Sequence, residues 1–146
     1  MKFKFIVATL ALLPVLAIAQ SSPVLLGTWK GVGPATVVGS GSFHPSEAGK
    51  ENNIRYRNVE FVLVIDKEEG RNFSGYLTAT SKSDSTDTNY KAMILGSSSK
   101  DMKNGVWVSE LGTATYKLVD PNNLEVCYTH IAAQYRVAHC YELVKQ

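Results

Sequence analysis

Residues 124–143 read LEVCYTHIAAQYRVAHCYEL and contain both cysteines of the chain. If Cys127 and Cys140 lie opposite each other on adjacent antiparallel strands, paired residue numbers add to 267. One face then carries the pairs Leu124–Leu143, Val126–Tyr141, Tyr128–His139 and His130–Val137. The opposite face carries Glu125–Glu142, Cys127–Cys140 and Thr129–Ala138. The first face is apolar and aromatic and the second polar, and a slip of one residue would break both patterns. The stretch therefore predicts a β-hairpin with its turn around Ala132–Tyr135.

The N-terminus has the three parts of a secretory signal peptide. A basic start is followed by an apolar run, Phe5–Leu16, and then by Ala17-Ile18-Ala19, which fits the small-x-small cleavage pattern. A transmembrane anchor or an ordinary N-terminal helix is the alternative, but a membrane-spanning helix needs about 20 apolar residues. We therefore expect residues 1–19 to be cleaved and residues 20–146 to form one domain, which is exported to the periplasm or secreted and is not membrane-spanning.

Cleavage changes the charge of the protein. The whole chain has 15 basic and 13 acidic residues, and removal of Lys2 and Lys4 leaves 15 − 2 = 13 basic residues against 13 acidic ones. The mature chain is formally neutral, so it lacks the basic surface that nucleic-acid binding requires. It also lacks a polybasic patch for anionic membranes. No nucleic-acid partner is expected.

The two cysteines are predicted to form a disulfide. Exported proteins fold in oxidising compartments, where two cysteines usually pair. Two free thiols or a redox pair are the alternative, but the gap of twelve residues between Cys127 and Cys140 is not a C-x-x-C motif. A disulfide at this position joins the two strands of the predicted hairpin.

The rest of the chain also has the pattern of β-strands separated by polar or glycine-containing turns. The predicted strands are Leu25–Val38, Tyr56–Asp66, Asn72–Thr80, Asn89–Ser97, Gly105–Glu110, Thr113–Val119, Leu124–His130 and Tyr135–Val144. The first contains Gly33-Pro34 and is expected to be broken or bulged there. Short turns between most strands indicate consecutive hairpins. The fold class is therefore all-β, a single antiparallel up-and-down barrel of about eight strands with one disulfide.

The inner face of the last hairpin supplies the candidate ligand-binding residues. The register places Tyr128, His130, His139 and Tyr141 on that face, and alternation also points Trp29 inward from the first strand. Aromatic side chains with a few polar tips are typical of small-molecule sites. The alternative is that these side chains fill the core and the barrel ends. Trp107 competes with Val106 and Val108 for the inner face, and its direction stays open.

The sequence contains no motif typical of a catalytic site or of a metal-binding site. His130 and His139 lack a third histidine or a cysteine thiolate at a metal-ligand spacing, and His44 lies in a long break between strands. The sequence has no G-x-S-x-G or S-x-x-K pattern and no free cysteine once the disulfide forms. Asp84 and Asp87 lie in a polar segment with nothing apolar to shift a carboxyl pKa. We expect no catalytic residues, no metal and no cofactor.

Two short motifs resemble known barrel families. Gly27-Thr28-Trp29 resembles the G-x-W strand that opens lipocalins and avidins, and Phe73-Ser74-Gly75-Tyr76 resembles a strand of avidin-type barrels. The resemblance implies an eight-stranded barrel whose tryptophan closes the base and whose ligand cavity lies at the open end. Lipocalins place an arginine from a late strand over this tryptophan. Arg136 is the candidate in the last strand, and the register points it outward. The biotin-contacting positions have no counterparts, so biotin binding is not implied.

Two functions follow as hypotheses. The first is binding of a small, partly apolar ligand inside the barrel, between Trp29 and the aromatic residues of the last hairpin. The second is a protein-interaction or inhibitor module that uses the long segments 39–53 and 81–88 against another exported protein, because loops of that length in a compact domain are often functional.

Overall fold

The computed structural model describes residues 25–41, 43–81 and 88–146. Eight antiparallel strands form a closed barrel in which each strand pairs with its neighbours in chain order and β8 closes against β1. The strands are β1 (Gly27–Gly39), β2 (Arg55–Glu69), β3 (Asn72–Ser81), β4 (Thr88–Ser98), β5 (Asn104–Val108), β6 (Thr113–Asp120), β7 (Asn123–Ile131) and β8 (Tyr135–Lys145). The predicted up-and-down barrel is confirmed. The predicted signal peptide, residues 1–19, lies outside the described residues, as does the segment 82–87.

The last hairpin has the register that the cysteines predicted. Cys127 pairs with Cys140, and every neighbouring pair from Asn123↔Val144 to Ile131↔Arg136 keeps the same sum of residue numbers. The disulfide is formed, with the two Cα atoms 4.1 Å apart. The turn closes where it was expected, because the backbone N–H of Ala132 donates to the carbonyl of Tyr135. A disulfide is consistent with an oxidising compartment.

Alternation of side chains between core and solvent decides the direction of Trp107. This side chain is 1% exposed, whereas Val106 and Val108 on either side are 52% and 48% exposed. The indole therefore points into the barrel, where it stacks on the ring of Tyr116 with 5.9 Å between centroids. Alternation allows either Trp107 or its two valine neighbours to face the core. The tryptophan does so, because its larger apolar surface gains more free energy from burial.

Small residues on the inner face of β1 make room for large rings from its neighbours. A Cβ atom on Gly33 would lie 2.3 Å from Cβ of Tyr141, so only glycine permits this approach of β1 to β8. The ring of Tyr141 stacks on Phe61 of β2, with 3.8 Å between centroids. The break or bulge expected at Gly33-Pro34 is absent toward β2, with which β1 pairs without a register shift from Gly27 to Val37. Toward β8 the pairing is interrupted between Lys30 and Thr36, in the segment that contains Gly33-Pro34.

One end of the barrel is closed by the start of β1. Trp29 is fully buried, and its indole N–H donates a 2.8 Å hydrogen bond to the carbonyl of Leu25. The Leu25 backbone N–H in turn donates to the Glu68 carboxylate at 3.1 Å, which fixes the chain across the opening. The ammonium of Lys145 lies 5.1 Å from the centroid of the Trp29 ring. The cation over the tryptophan is therefore the last residue of β8, whereas Arg136 points outward as predicted.

Residues 25–41, 43–81 and 88–146 contain no helix that is long and apolar enough to cross a membrane.

The contact between Gly33 and Tyr141 can be tested by substitution. Gly33→Ala should lower the free energy of unfolding by about 1–3 kcal/mol, because the new methyl group meets a Cβ atom that no side-chain rotation can move. Urea denaturation of the purified protein measures this. Lys30→Ala, at an exposed outward position of the same strand, should change the free energy by less than about 0.5 kcal/mol. Equal free energies for the two variants would contradict the close approach of β1 and β8.

Candidate functional site

A cavity lies inside the barrel at the end opposite Trp29. This open end is where the chain connects β1 to β2 through residues 40–54, β5 to β6 through residues 109–112 and β7 to β8 through residues 132–134. The cavity volume is about 30 Å³. A cavity needs about 10–15 Å³ to hold one water molecule. The space therefore takes a small group unless its walls move.

The cavity wall is mainly apolar and aromatic. Its lining residues are Ala35, Phe43, His44, Val59, Phe61, Leu77, Ala79, Tyr90, Ser109, Leu111, Tyr128, His130, Tyr135, Val137 and His139. Six of the eight strands contribute to this set, together with the β1–β2 and β5–β6 connections. No Asp, Glu, Lys or Arg belongs to it, so the wall carries no formal charge while its histidines are neutral.

Three parallel rings form the floor of the cavity. Phe61 stacks on His139 at 4.9 Å and on Tyr141 at 3.8 Å between centroids. His139 and Tyr141 are two residues apart on β8, so both project inward and their rings stack at 5.0 Å. The inner face of β1 offers only small side chains at this level, which leaves the rings their space. A planar ligand above His139 would extend this stack.

The connection between β1 and β2 folds over the mouth of the cavity. Its first turn passes close to Tyr135, where a Cβ atom on Gly41 would lie 2.5 Å from the ring. Phe43 and His44 follow and point into the cavity. Two arginines on the inner face of β2 hold this segment by its carbonyl groups. Arg55 donates to Gly39, His44 and Pro45, and Arg57 donates to Pro45 at 3.1 Å.

All three histidines of the chain border this one cavity. Burial lowers the pKa of His44 to about 4, helped by the positive charge of Arg57. Burial alone lowers the pKa of His139 to about 4. The pKa of His130 is also lowered by burial. The three imidazoles are therefore neutral at pH 7, and each can donate one hydrogen bond and accept another.

Several buried polar atoms at the cavity have no hydrogen-bond partner among the described residues. They include Nδ1 of His44, Nδ1 of His139 and the hydroxyl of Tyr141. His44 is only 5% exposed. Leaving a buried polar group unpaired costs about 1–3 kcal/mol, and most buried polar atoms in native proteins are paired. These atoms are places where a bound molecule would gain hydrogen bonds that the protein does not make internally.

The site is poorly suited to acid–base catalysis. General acids and bases work best with a pKa near the working pH. Burial raises the pKa of Tyr128 to about 12 and lowers that of His139 to about 4, so both move away from neutrality. The part of the chain that the structure describes also has no three His, Cys, Asp or Glu side chains arranged to hold a metal ion. The residues that line the cavity are suited to stacking on a bound molecule and to hydrogen bonding with it.

The structure brings four of the five predicted ligand-binding residues together at the cavity and places the fifth at the other end of the barrel. Tyr128, His130 and His139 border the cavity, and Tyr141 lies directly beneath it against Phe61. Trp29 lies at the closed end, away from the cavity, where it seals the base.

Among the aromatic residues of the wall, five were not predicted as site residues: Phe43, His44, Phe61, Tyr90 and Tyr135. The alternation of Val59, Phe61 and Leu63 within β2 was a signal for Phe61. Tyr135 begins β8 and shares the inward face with Val137. Phe43 and His44 lie outside any strand, so no periodicity in the sequence could have directed them inward.

Comparison of the chain with protein-family models and with curated proteins finds no match.

The buried histidines predict a dependence of stability on pH. A histidine whose pKa is about 4 in the folded state and about 6.5 unfolded binds its proton first in the unfolded chain. Stability is therefore full above pH 6.5 and falls as the pH drops toward 4. Between pH 7 and pH 5 the loss should be about 2 kcal/mol for each of His44 and His139. Urea denaturation at the two pH values measures it.

His139→Phe is the matched variant for this experiment, because phenylalanine keeps a flat ring in the stack and cannot take up a proton. It should lose clearly less stability than the wild type between pH 7 and pH 5. The carboxylates of Glu47, Asp101 and Asp120 have lowered pKa values from local hydrogen bonds and act only at lower pH. Wild-type stability that is flat from pH 7 to pH 5 would contradict the burial of neutral histidines.

Proposed function

We propose that this protein is an exported binding protein that holds a small, mostly apolar ligand in the cavity at the open end of its barrel. One observation carries the proposal: the cavity is walled by aromatic and aliphatic side chains, yet buried nitrogens of His44 and His139 at its surface have no partner. Apolar pockets with a few convergent polar groups are the usual form of small-molecule sites.

The wall favours a compact ligand with a flat apolar body. The stacked rings of Phe61 and His139 offer one flat surface, and Ala35 and Ala79 leave space where longer side chains would fill the barrel. Aromatic pairs gain about 0.5–1.5 kcal/mol beyond the area they bury. The small cavity volume argues against a large planar cofactor in this conformation, so we propose a single ring or a short chain.

The closed end supports a relation to lipocalin-like barrels. Trp29 of the Gly27-Thr28-Trp29 motif seals the base, and Lys145 from the last strand lies over its ring. This arrangement is what the resemblance implied, with lysine in the place of arginine. Export through a cleaved signal peptide agrees with the disulfide between Cys127 and Cys140. We therefore propose that the protein works outside the cytoplasm.

An interaction module that uses segments 39–53 and 81–88 remains the alternative proposal. The contacts of the first segment favour a different role, because it turns Phe43 and His44 into the barrel and is held there by Arg55 and Arg57. A segment committed to covering a cavity has fewer side chains free for a partner. Most of the second segment, residues 82–87, lies outside the described residues.

Histidine NMR signals provide a direct test of ligand binding. The chain has three histidines and all of them border the cavity, so their Hε1 resonances report on this site alone. Titration with indole, benzyl alcohol and hexan-1-ol should shift all three resonances in a saturable way. The indole N–H signal of Trp29 at the closed end should stay in place and serves as the internal control. Histidine resonances that do not move with any of these ligands up to millimolar concentration contradict the proposal.

A pair of alanine substitutions separates the cavity from the outer surface. Ala79→Phe fills the cavity and should weaken binding at least tenfold, because the added ring occupies the ligand's space. Ala138→Phe adds the same ring at an exposed position of β8 between two cavity residues, Val137 and His139, and should leave the affinity within twofold. Equal affinities for the two variants would place the binding elsewhere. Thermal unfolding of both variants controls for the cost of overpacking.

A further inference from the structure

Two arginines on the inner face of β2 have no carboxylate partner. Arg55, Arg57, Val59 and Phe61 alternate along the strand with outward residues, so the guanidinium groups lie above the apolar wall at the mouth of the barrel. The hydrogen bonds that the two guanidinium groups donate among the described residues go to the backbone carbonyls of Gly39, His44 and Pro45. In the described residues, Arg55 and Arg57 form no ion pair.

Both guanidinium groups also keep buried donors without an acceptor. Nη1 of Arg57 and Nε of Arg55 have no hydrogen-bond partner among the described residues. A buried charge that is not paired is costly, and removing water from it is compensated only by close opposite charge and complete hydrogen bonding. Carbonyl groups supply hydrogen bonds but no net charge. The described residues thus leave Arg55 and Arg57 with unpaired donors and without a carboxylate in contact.

The acidic side chains at this end are exposed and engaged elsewhere. Glu47 pairs with Lys50 at 2.5 Å. Glu51 accepts from the backbone N–H of Gly49 at 3.1 Å, and Glu110 accepts from the hydroxyl of Tyr90 at 3.3 Å. None of the three is in hydrogen-bond contact with Arg55 or Arg57. Among the described residues, no carboxylate therefore contacts the two arginines, and a bound carboxylate would supply the opposite charge.

We infer that the ligand is a small carboxylate, with its apolar body in the cavity and its carboxylate beside His44 in the field of Arg57. This inference rests on the proposed ligand-binding function and names the class of ligand. Nδ1 of His44 and Nη1 of Arg57 are two unpartnered nitrogens on neighbouring side chains. A carboxylate has two coplanar oxygen atoms and matches a pair of donors of this kind.

The position of His44 links the arginine to the cavity. Arg57 does not border the cavity itself, but the adjacent His44 does. The charge of Arg57 acts on the His44 ring, since it contributes to the lowered pKa of that group after burial. A carboxylate that accepts a hydrogen bond from Nδ1–H of His44 would therefore lie within the same positive field. Neutral ligands of the same shape gain only the stacking and the hydrogen bond.

A matched pair of ligands tests this inference. Phenylacetate and phenylacetamide share one ring and one methylene group and differ in charge. Titrations at pH 7.5, followed by the histidine Hε1 signals, should show wild-type protein binding the acid at least tenfold more tightly than the amide. Arg57→Gln should reduce this preference to threefold or less, and because the preference compares two ligands on the same variant, a looser covering segment does not change it. Arg136→Gln removes a positive charge from the outer surface of β8 and should keep the full preference.

The outcomes distinguish the inference from the proposed function. Equal binding of acid and amide by the wild type overturns the carboxylate and leaves the ligand-binding function standing. Failure of both ligands, and of indole and hexan-1-ol as well, overturns the proposed function and the inference together. If Arg57→Gln weakens both ligands equally, the arginine serves only to hold the segment over the mouth, and the inference is wrong.

A second variant covers the case in which Arg57→Gln does not fold. Arg57→Lys keeps the charge and loses the forked geometry of the guanidinium, so it should still prefer the acid to the amide, but less strongly than the wild type and Arg136→Gln do. A preference equal to that of the wild type would contradict the inference, because it would show that the geometry of the guanidinium plays no part.

Discussion

The close approach of β1 to β8 at Gly33 is the constraint on which the interior depends. Because β1 contributes almost no side-chain volume at this level, Tyr141 can lie across the barrel and stack on Phe61. The stack divides the interior into two parts. Below it, the buried side chains of Trp29 and Trp107 fill the barrel. Above it, small side chains at the open end leave a cavity. A larger residue at position 33 would displace the rings and merge or eliminate these two parts.

The two parts of the barrel differ in how many of their buried polar atoms form hydrogen bonds. At the closed end, Trp29 donates to Leu25, and the hydroxyls of Ser98 and Tyr116 lie 2.7 Å apart, whereas Nε1 of Trp107 has no partner among the described residues. At the open end, Nδ1 of His44, Nδ1 of His139 and the hydroxyl of Tyr141 have no partner in the described part of the chain. Folding gains nothing from such unpaired groups, since each costs free energy that an apolar side chain would not. The proposed binding site would account for the larger number of them at the open end.

Sequence patterns predicted the barrel and three of the fifteen residues that line the cavity. Cys127 and Cys140 fixed the register of the last hairpin, and strand alternation directed Tyr128, His130 and His139 inward, because a period of two leaves no freedom once one pair is known. Trp29 was placed inward correctly, but alternation alone gives no position along the barrel axis, and the start of β1 lies at the end opposite the β7–β8 turn. His44 could not be assigned, because its direction depends on carbonyl contacts to Arg55 and Arg57. Long-range contacts of irregular segments leave no periodic signal.

If the protein binds a ligand as proposed, the segment that covers the cavity accounts for the small volume of the cavity. Its attachment runs through hydrogen bonds from two arginines to carbonyl groups, together with the packing of Phe43 and His44 against the wall. A segment held by polar contacts at its ends opens at lower cost than a strand in the ladder, since few buried apolar contacts are lost. Ligand entry then requires displacement of this segment and leaves the barrel below the Phe61–Tyr141 stack unchanged. The same arginines that hold the cover would be the groups that sense the charge of what enters.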